Sequence, residues 1–307
     1  MGAYMTGVAV EGDQQAVPFM QARPVPLQVS GRTYRATQQW QLSLWARKLR
    51  KDEGMAKAVK VLDDVAEQPL VKSRQRVQDH AEVLTPAWLV DDMLDLVRDE
   101  SERIDSRFLE PACGTGNFLV RILARKLATV KKRYGRSDFE KKHYALLALM
   151  CIYGIEIQAD NVEDCRRNLL SVFSAYVGCA RGDILYEAAE KVVEANIVHG
   201  DALAMRAYQS GSGTRTKRLR FAEWAYIGKG RYARRDFLYE QVAERATVKA
   251  GQGDHDAFKP VRDYPPLTVP QIASGSGDVP IPSYASDDDA AEAAMRIAQN
   301  VSQGELW

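Results

Sequence analysis

The stretch FLEPACGTGNFLV, residues 108–120, constrains this chain more than any other. A short apolar segment runs into two closely spaced glycines, Gly114 and Gly116. An apolar stripe of helical spacing follows: Phe118, Leu119, Ile122, Leu123 and Leu127. The layout predicts a strand over 107–110, a tight turn, and a helix that buries one face. Glycines at such a junction let backbone N–H groups come close to a ligand at the helix N-terminus. A carboxylate, Glu110, stands immediately before the turn.

The flanking segments repeat the alternation. EVLTPAWLVDDMLDLVRDE (82–100) predicts a helix with Thr85 at the cap and Pro86 at the first helical position, where a missing N–H costs nothing. Leu89, Val90, Met93, Leu94 and Val97 form its stripe. A helix is expected over about 138–150, then a buried strand in CIYGIEI (151–157). A further helix over 159–176 turns Val162, Cys165, Leu169, Val172, Phe173 and Tyr176 inward. Another helix near 183–195 leads to a third strand in NIVHGDAL (196–203). This order implies an α/β domain over 81–205, a parallel sheet with helices on its faces. Three strands make a short sheet, and an exposed edge invites pairing. Ahead of it lie a loose arm (1–30) and a helical region (31–80) patterned by Trp40, Leu44, Trp45, Met55, Val59 and Leu62.

Beyond 205 the character changes. Residues 206–249 carry eleven Lys/Arg against four Asp/Glu, whereas 251–307 carry three against nine. The first block (to 250) reads as a basic hairpin region: GSGT (211–214) is a flexible turn, and two strands over 219–241 join at Gly228 to Gly230. The hairpin, or a partner subunit, is a candidate cover for the sheet edge. The second block reads as a low-complexity acidic tail with one short helix near 290–299. No apolar run approaches the roughly 18 residues that span a membrane, and no signal pattern opens the chain. Cys113, Cys151, Cys165 and Cys179 lack CxxC spacing and a neighbouring histidine pair. They fit reduced thiols of a cytoplasmic protein, not a metal site or a disulfide framework.

Three cofactor classes compete for the glycine turn. A phosphate-binding GxxxxGK[ST] loop is absent. A dinucleotide fingerprint needs a third glycine where Leu119 stands. Glu110 would also meet a pyrophosphate as a like charge, whereas it would welcome an ammonium and a sulfonium. S-adenosyl-L-methionine carries both and has no phosphate. Glu156, ending the second strand, is placed to accept from ribose hydroxyls, and Asp201, ending the third, from an adenine amine. Either alone could simply cap the next helix; the coincidence with the turn favours a shared crevice.

EVLTPAWLVDDM, FLEPACGTGNFL, IYGIEIQADNV and NIVHGDAL resemble, in order, the cofactor motifs of bacterial and phage DNA adenine-N6 methyltransferases of restriction–modification systems. The resemblance implies a Rossmann-like class I methyltransferase fold. It also implies S-adenosylmethionine binding by Thr85 and Pro86, by Glu110, Pro111, Ala112, Cys113, Gly114, Gly116, Asn117 and Phe118, and by Glu156, Ile157, Asp201 and Ala202. Family members reshape the target amine with an Asp/Asn-Pro-Pro-Tyr/Phe tetrapeptide, which is missing after Asp201. The weak stand-in is RDYPPL, with Asp263, Pro265 and Pro266, which reads more simply as an extended proline turn. Lys217, Arg218, Arg220, Lys229, Arg231, Arg234 and Arg235 interleave with Phe221, Trp224, Tyr226 and Tyr232, a composition suited to double-stranded DNA. Strand alternation would turn some of those aromatics into the core. The expectation is therefore a DNA methyltransferase, or the cofactor-binding part of one completed by a second subunit. A catalytically silent DNA- or partner-binding subunit is the alternative, and RNA or protein substrates stay open.

Overall fold

The computed structural model describes residues 52–69, 71–80, 82–208, 215–240 and 260–275. The arm over 1–30, Trp40, Leu44, Trp45, the turn 211–214 and the helix near 290–299 lie outside these residues.

The described residues open with α1 (Glu53–Ala66), capped by the Asp52 side chain, which accepts from Met55 N–H at 3.0 Å. Then come α2 (Arg74–His80), α3 (Ala87–Asp95) and α4 (Arg98–Glu102). Strand β1 (Phe108–Glu110) leads through the glycine turn into α5 (Asn117–Tyr134), followed by α6 (Asp138–Met150). Next are β2 (Ile152–Glu156), α7 (Ala159–Val177), α8 (Ile184–Asn196) and β3 (Ile197–Asp201). β1, β2 and β3 pair in parallel in that order. The 3.6-residue stripes are what make this layer legible: Leu119, Ile122, Leu123 and Leu127 of α5 are buried, as are all six inward positions expected on α7. Met55, Val59 and Leu62 are buried too, and α1 packs on α7.

The structure departs from expectation at the sheet's edge. Strands β4 (Arg206–Tyr208) and β5 (Arg215–Arg218) continue antiparallel beyond β3, so that edge is extended by the polar segment in which no strand was expected. The hairpin of β6 (Arg220–Gly228) and β7 (Arg231–Leu238) forms a second sheet instead. Its other members, β8 (Arg262–Asp263) and β9 (Leu267–Thr268), pair with the far side of β7. Helix α9 (Val269–Ser274) closes the described chain and packs on α8. Residues 260–275 are thus part of the folded body, not low-complexity tail.

The second sheet also takes a place that sequence reasoning gave to helices. Along β2 the side chains alternate. Ile152 joins the helix-side core, whereas Tyr153 and Ile155 pack with Leu219 and Phe221 at the start of the hairpin. Tyr153 Oη donates to Ala222 O at 2.9 Å, and its ring meets Phe221 edge-on. One sheet face is covered by helices, the other by a hairpin.

Smaller corrections follow from local chemistry. Helix α3 begins at Ala87, with Pro86 at its N-cap and no side-chain cap, so Thr85 lies outside the helix. Val90 and Leu94 bury the expected stripe, but Val97 is 46 % exposed. The helix is held instead by polar contacts: Arg121 of α5 meets Asp91 at 2.5 Å, and Arg125 meets Asp95 at 2.8 Å.

Candidate functional site

Parallel strands point their C-terminal ends one way, and here those ends carry carboxylates. Glu110 lies opposite Gly154, and Glu156 opposite His199. Each strand's carboxylate therefore sits two residues beyond the partner of the one before, with Asp201 continuing the series. They line one cavity of about 400 Å³, within the range of small-ligand sites.

The turn that shapes its floor depends on two glycines. Gly116 caps α5 at a φ of 91°, and a Cβ there would stand 2.8 Å from Cys165 Sγ. Gly154 of β2 lets Cys113 fit behind it, since a Cβ would stand 2.8 Å from that sulfur. The Cys113 thiol is driven well above its usual range by its hydrogen bond with Cys165 and by burial, which keeps it a protonated packing thiol.

Glu156 ties the turn to the second strand. Its Oε2 accepts from Gly114 N–H at 2.8 Å and its Oε1 from Gln158 N–H at 2.9 Å. Asp201 Oδ1 accepts from Ala204 N–H at 2.9 Å. Both carboxylates thus bind local backbone, but neither caps a helix: Gln158 is itself the N-cap of α7, and Asp201 is followed by a turn into β4. Glu110 differs. Its one backbone donor, Ala112 N–H, is 3.4 Å away, and burial pushes its carboxyl up to about 7.

Of the residues expected from sequence, Thr85, Glu110, Pro111, Ala112, Cys113, Gly114, Asn117, Phe118, Glu156, Ile157, Asp201 and Ala202 line the cavity. Pro86 and Gly116 do not: the first opens α3 and the second packs α5 on α7. Sequence reasoning missed Glu82, Val83, Leu84, Gln158, Asn161, Gly200 and Leu203. Glu82 to Thr85 form a strap along one wall, and Asn117 Nδ2 holds it by donating to Thr85 O at 3.1 Å. Arg76 anchors the strap by bonding both Glu82 and Asp160, and Lys72 adds contacts to Asp160 and Asp164. No local pattern marks such a strap; it is a product of helix packing. Among the described residues no group of three or more His, Cys, Asp or Glu is placed to hold a metal ion.

The weak catalytic candidate lies elsewhere. Asp263 pairs in register with Arg235 of β7, and Tyr264 is buried with its Oη donating to Asp236 at 2.9 Å. Pro265 and Pro266 span the step from β8 to β9, so RDYPPL is a sheet-edge connection and not a cavity wall.

The basic hairpin runs away from the cavity. Phe221 touches Tyr153, Glu223 pairs with Arg107 ahead of β1, and Trp224 Nε1 donates to Asn196 ahead of β3. The tip packs on α6, where Gly230 abuts His143 and Phe139. These contacts descend from the C-terminal to the N-terminal ends of the strands, so Lys229 and Arg231 project at the end opposite the cavity. Phe221, Trp224 and Tyr232 are buried, as alternation anticipated for some aromatics; Tyr226 is half-buried. Arg234 pairs with Asp236 and stacks on Trp224 and Tyr264. Arg235 pairs with Glu223, and Arg218 with Glu240. Lys217 is exposed on β5, close in the sheet to the Asp201 end, with Arg218 beside it and Arg220 opening β6 half-buried. No helix of the described residues is long and apolar enough to cross a membrane.

Comparison with protein-family models, with curated proteins and with solved structures finds no match.

Proposed function

We propose that this chain binds S-adenosyl-L-methionine in the cavity and acts in adenine-N6 methylation of DNA, as the methyltransferase or as the cofactor-binding part of a split one. A restriction–modification or phage setting would follow. The observation that carries this reading is the one-sided chemistry of the wall. Glu82, Glu110, Glu156 and Asp201 line it, and among the described residues no Lys, Arg or His does. Such a wall disfavours phosphate and favours a cationic ligand rich in hydrogen-bond donors. In this reading β1, β2 and β3 with their helical crossovers form the cofactor half of a Rossmann-like class I methyltransferase sheet. Glu110 faces the ammonium, Glu156 the ribose and Asp201 the adenine amine, while Ile157 and Ala202 flank the ring. The bound cofactor supplies an electrophilic methyl group; the protein's part is to orient it and exclude phosphate-bearing competitors.

The test is titration calorimetry with S-adenosylmethionine, with a dinucleotide and a nucleoside triphosphate as controls. Binding of either phosphate ligand in preference to S-adenosylmethionine would overturn the reading. Methyl transfer to DNA is then measured with and without the product of the neighbouring gene.

A second reading, a catalytically silent subunit that docks DNA or a partner, is favoured by one observation. Among the described residues no Asp/Asn-Pro-Pro-aromatic group lines the cavity, and the one near match is committed to β7. Cofactor binding with no methyl transfer under either condition selects it.

A further inference from the structure

Asn161, in the first turn of α7, lines the cavity yet is only 1 % exposed. Its Nδ2 donates to Glu82 Oε1 at 3.2 Å, and Glu82 is held from behind by Arg76. With its nitrogen committed to a carboxylate, the amide cannot be turned round without setting oxygen against oxygen. Its Oδ1 is fixed as an acceptor, and no group among the described residues donates to it. A buried acceptor without a donor is a standing cost in a folded protein, and one in the wall of a cavity points to a donor on the ligand.

The neighbouring Glu156 says which donor. Both of its oxygens already accept a backbone N–H, from Gly114 and Gln158. A ribose presents two adjacent hydroxyl donors, and the protein backbone has taken part of the capacity of the one carboxylate that sequence reasoning assigned to both. Asn161, one helical turn past the β2–α7 connection, supplies a separate acceptor.

We propose that Asn161 is a ribose-reading residue: its Oδ1 accepts one hydroxyl of the ligand's diol while Glu156 accepts the other, making the cavity selective for ribonucleosides over deoxyribonucleosides. Glu82 is the positioning residue that holds the amide. The inference rests on the adenosine end of the ligand lying over Glu156.

The experiment is calorimetry on the full chain with S-adenosylhomocysteine and its 2′-deoxy and 3′-deoxy analogues, for wild type and Asn161→Leu. The substitution should weaken S-adenosylhomocysteine by about 10-fold or more. For one of the two deoxy analogues, wild type and variant should agree to within about 2-fold, because the hydroxyl that Asn161 reads is gone. A merely structural asparagine would weaken all three ligands alike, and that result, or unchanged binding of S-adenosylhomocysteine, overturns the proposal. Asn161→Ser repeats the test should the leucine variant fail to fold. If wild type does not bind S-adenosylhomocysteine, the cofactor assignment falls. The ribose reading is then judged with adenosine and its two deoxy forms, and it fails if wild type does not prefer adenosine.

Discussion

Glu110 should make cofactor binding depend on pH, and its burial sets the size of the effect. In the ligand-free cavity its carboxyl is pushed up to about 7 by desolvation, opposed only by the Ala112 N–H. A cationic ligand binds the ionised form, so affinity follows the ionised fraction: about one half at pH 7 and about 3 % at pH 5.5, a fall of roughly 15-fold. The ligand's own amine stays protonated across that window, so the slope belongs to the protein. Calorimetry in buffers of different ionisation enthalpy reads the same event as a proton count. Wild type should release about 0.9 proton on binding near pH 6, and Glu110→Gln none, with weaker binding and a flat profile. Stability of the ligand-free protein moves the other way. Because the folded value lies above the ordinary 4.5, Glu110 favours the folded state fully below about pH 4.5, and that contribution is lost as pH rises through about 7. Glu110→Gln should therefore stabilise the ligand-free protein at pH 8 by about 2 kcal/mol, after allowing for solvent screening, and change it little at pH 4.5. Wild-type affinity that stays level from pH 5.5 to 7.5, with no proton released, would refute the placement of the ammonium against Glu110.

Other expectations concern packing and DNA. Gly154→Ala should cost about 1–3 kcal/mol in urea unfolding and weaken the cofactor, since its Cβ forces Cys113 and the turn aside. Arg234→Ala should cost about 2–3 kcal/mol by leaving the buried Asp236 without its cation, whereas Lys229→Ala at the exposed tip should stay within about 0.5 kcal/mol. Asp263→Ala should leave any methyl transfer intact; a loss of activity without a loss of Tm would return RDYPPL to the site. If DNA approaches the cavity end, Lys217→Ala should reduce the salt dependence of DNA affinity in anisotropy titrations by about one ion, and Lys229→Ala should not.

The helical layer and the three parallel strands were legible because each depends on a local period. Leu119, Leu123 and Leu127 mark a buried helical face, and Ile152 to Ile155 mark a strand buried on both sides. Glu110, Glu156 and Asp201 were legible for a related reason: a polar residue at the end of such a strand has few places to go but the crevice. What escaped depends on contacts between distant segments. Arg206 to Tyr208 is too short and polar to announce a strand, and it forms one because β3 offers an open ladder. The covering of Tyr153 and Ile155 by the hairpin shows the same limit. The apolar pattern says that a face is buried but not by what. Glu82 and Asn161 meet across 79 residues, and no spacing rule joins them. In the basic hairpin a count of cations leaves out the pairing, since Arg218, Arg234 and Arg235 hold Glu240, Asp236 and Glu223.

Glu156 reaches across to the glycine turn as well as to its own loop, so one carboxylate fastens the two loops against which opposite halves of a ligand would lie. Fragments should then not bind independently. Adenosine, by fixing Glu156, should steady Gly114 and raise the affinity for methionine at the Glu110 end. Reciprocity requires methionine to raise the affinity for adenosine by the same factor. A site joined in this way holds the intact cofactor more tightly than its halves would suggest.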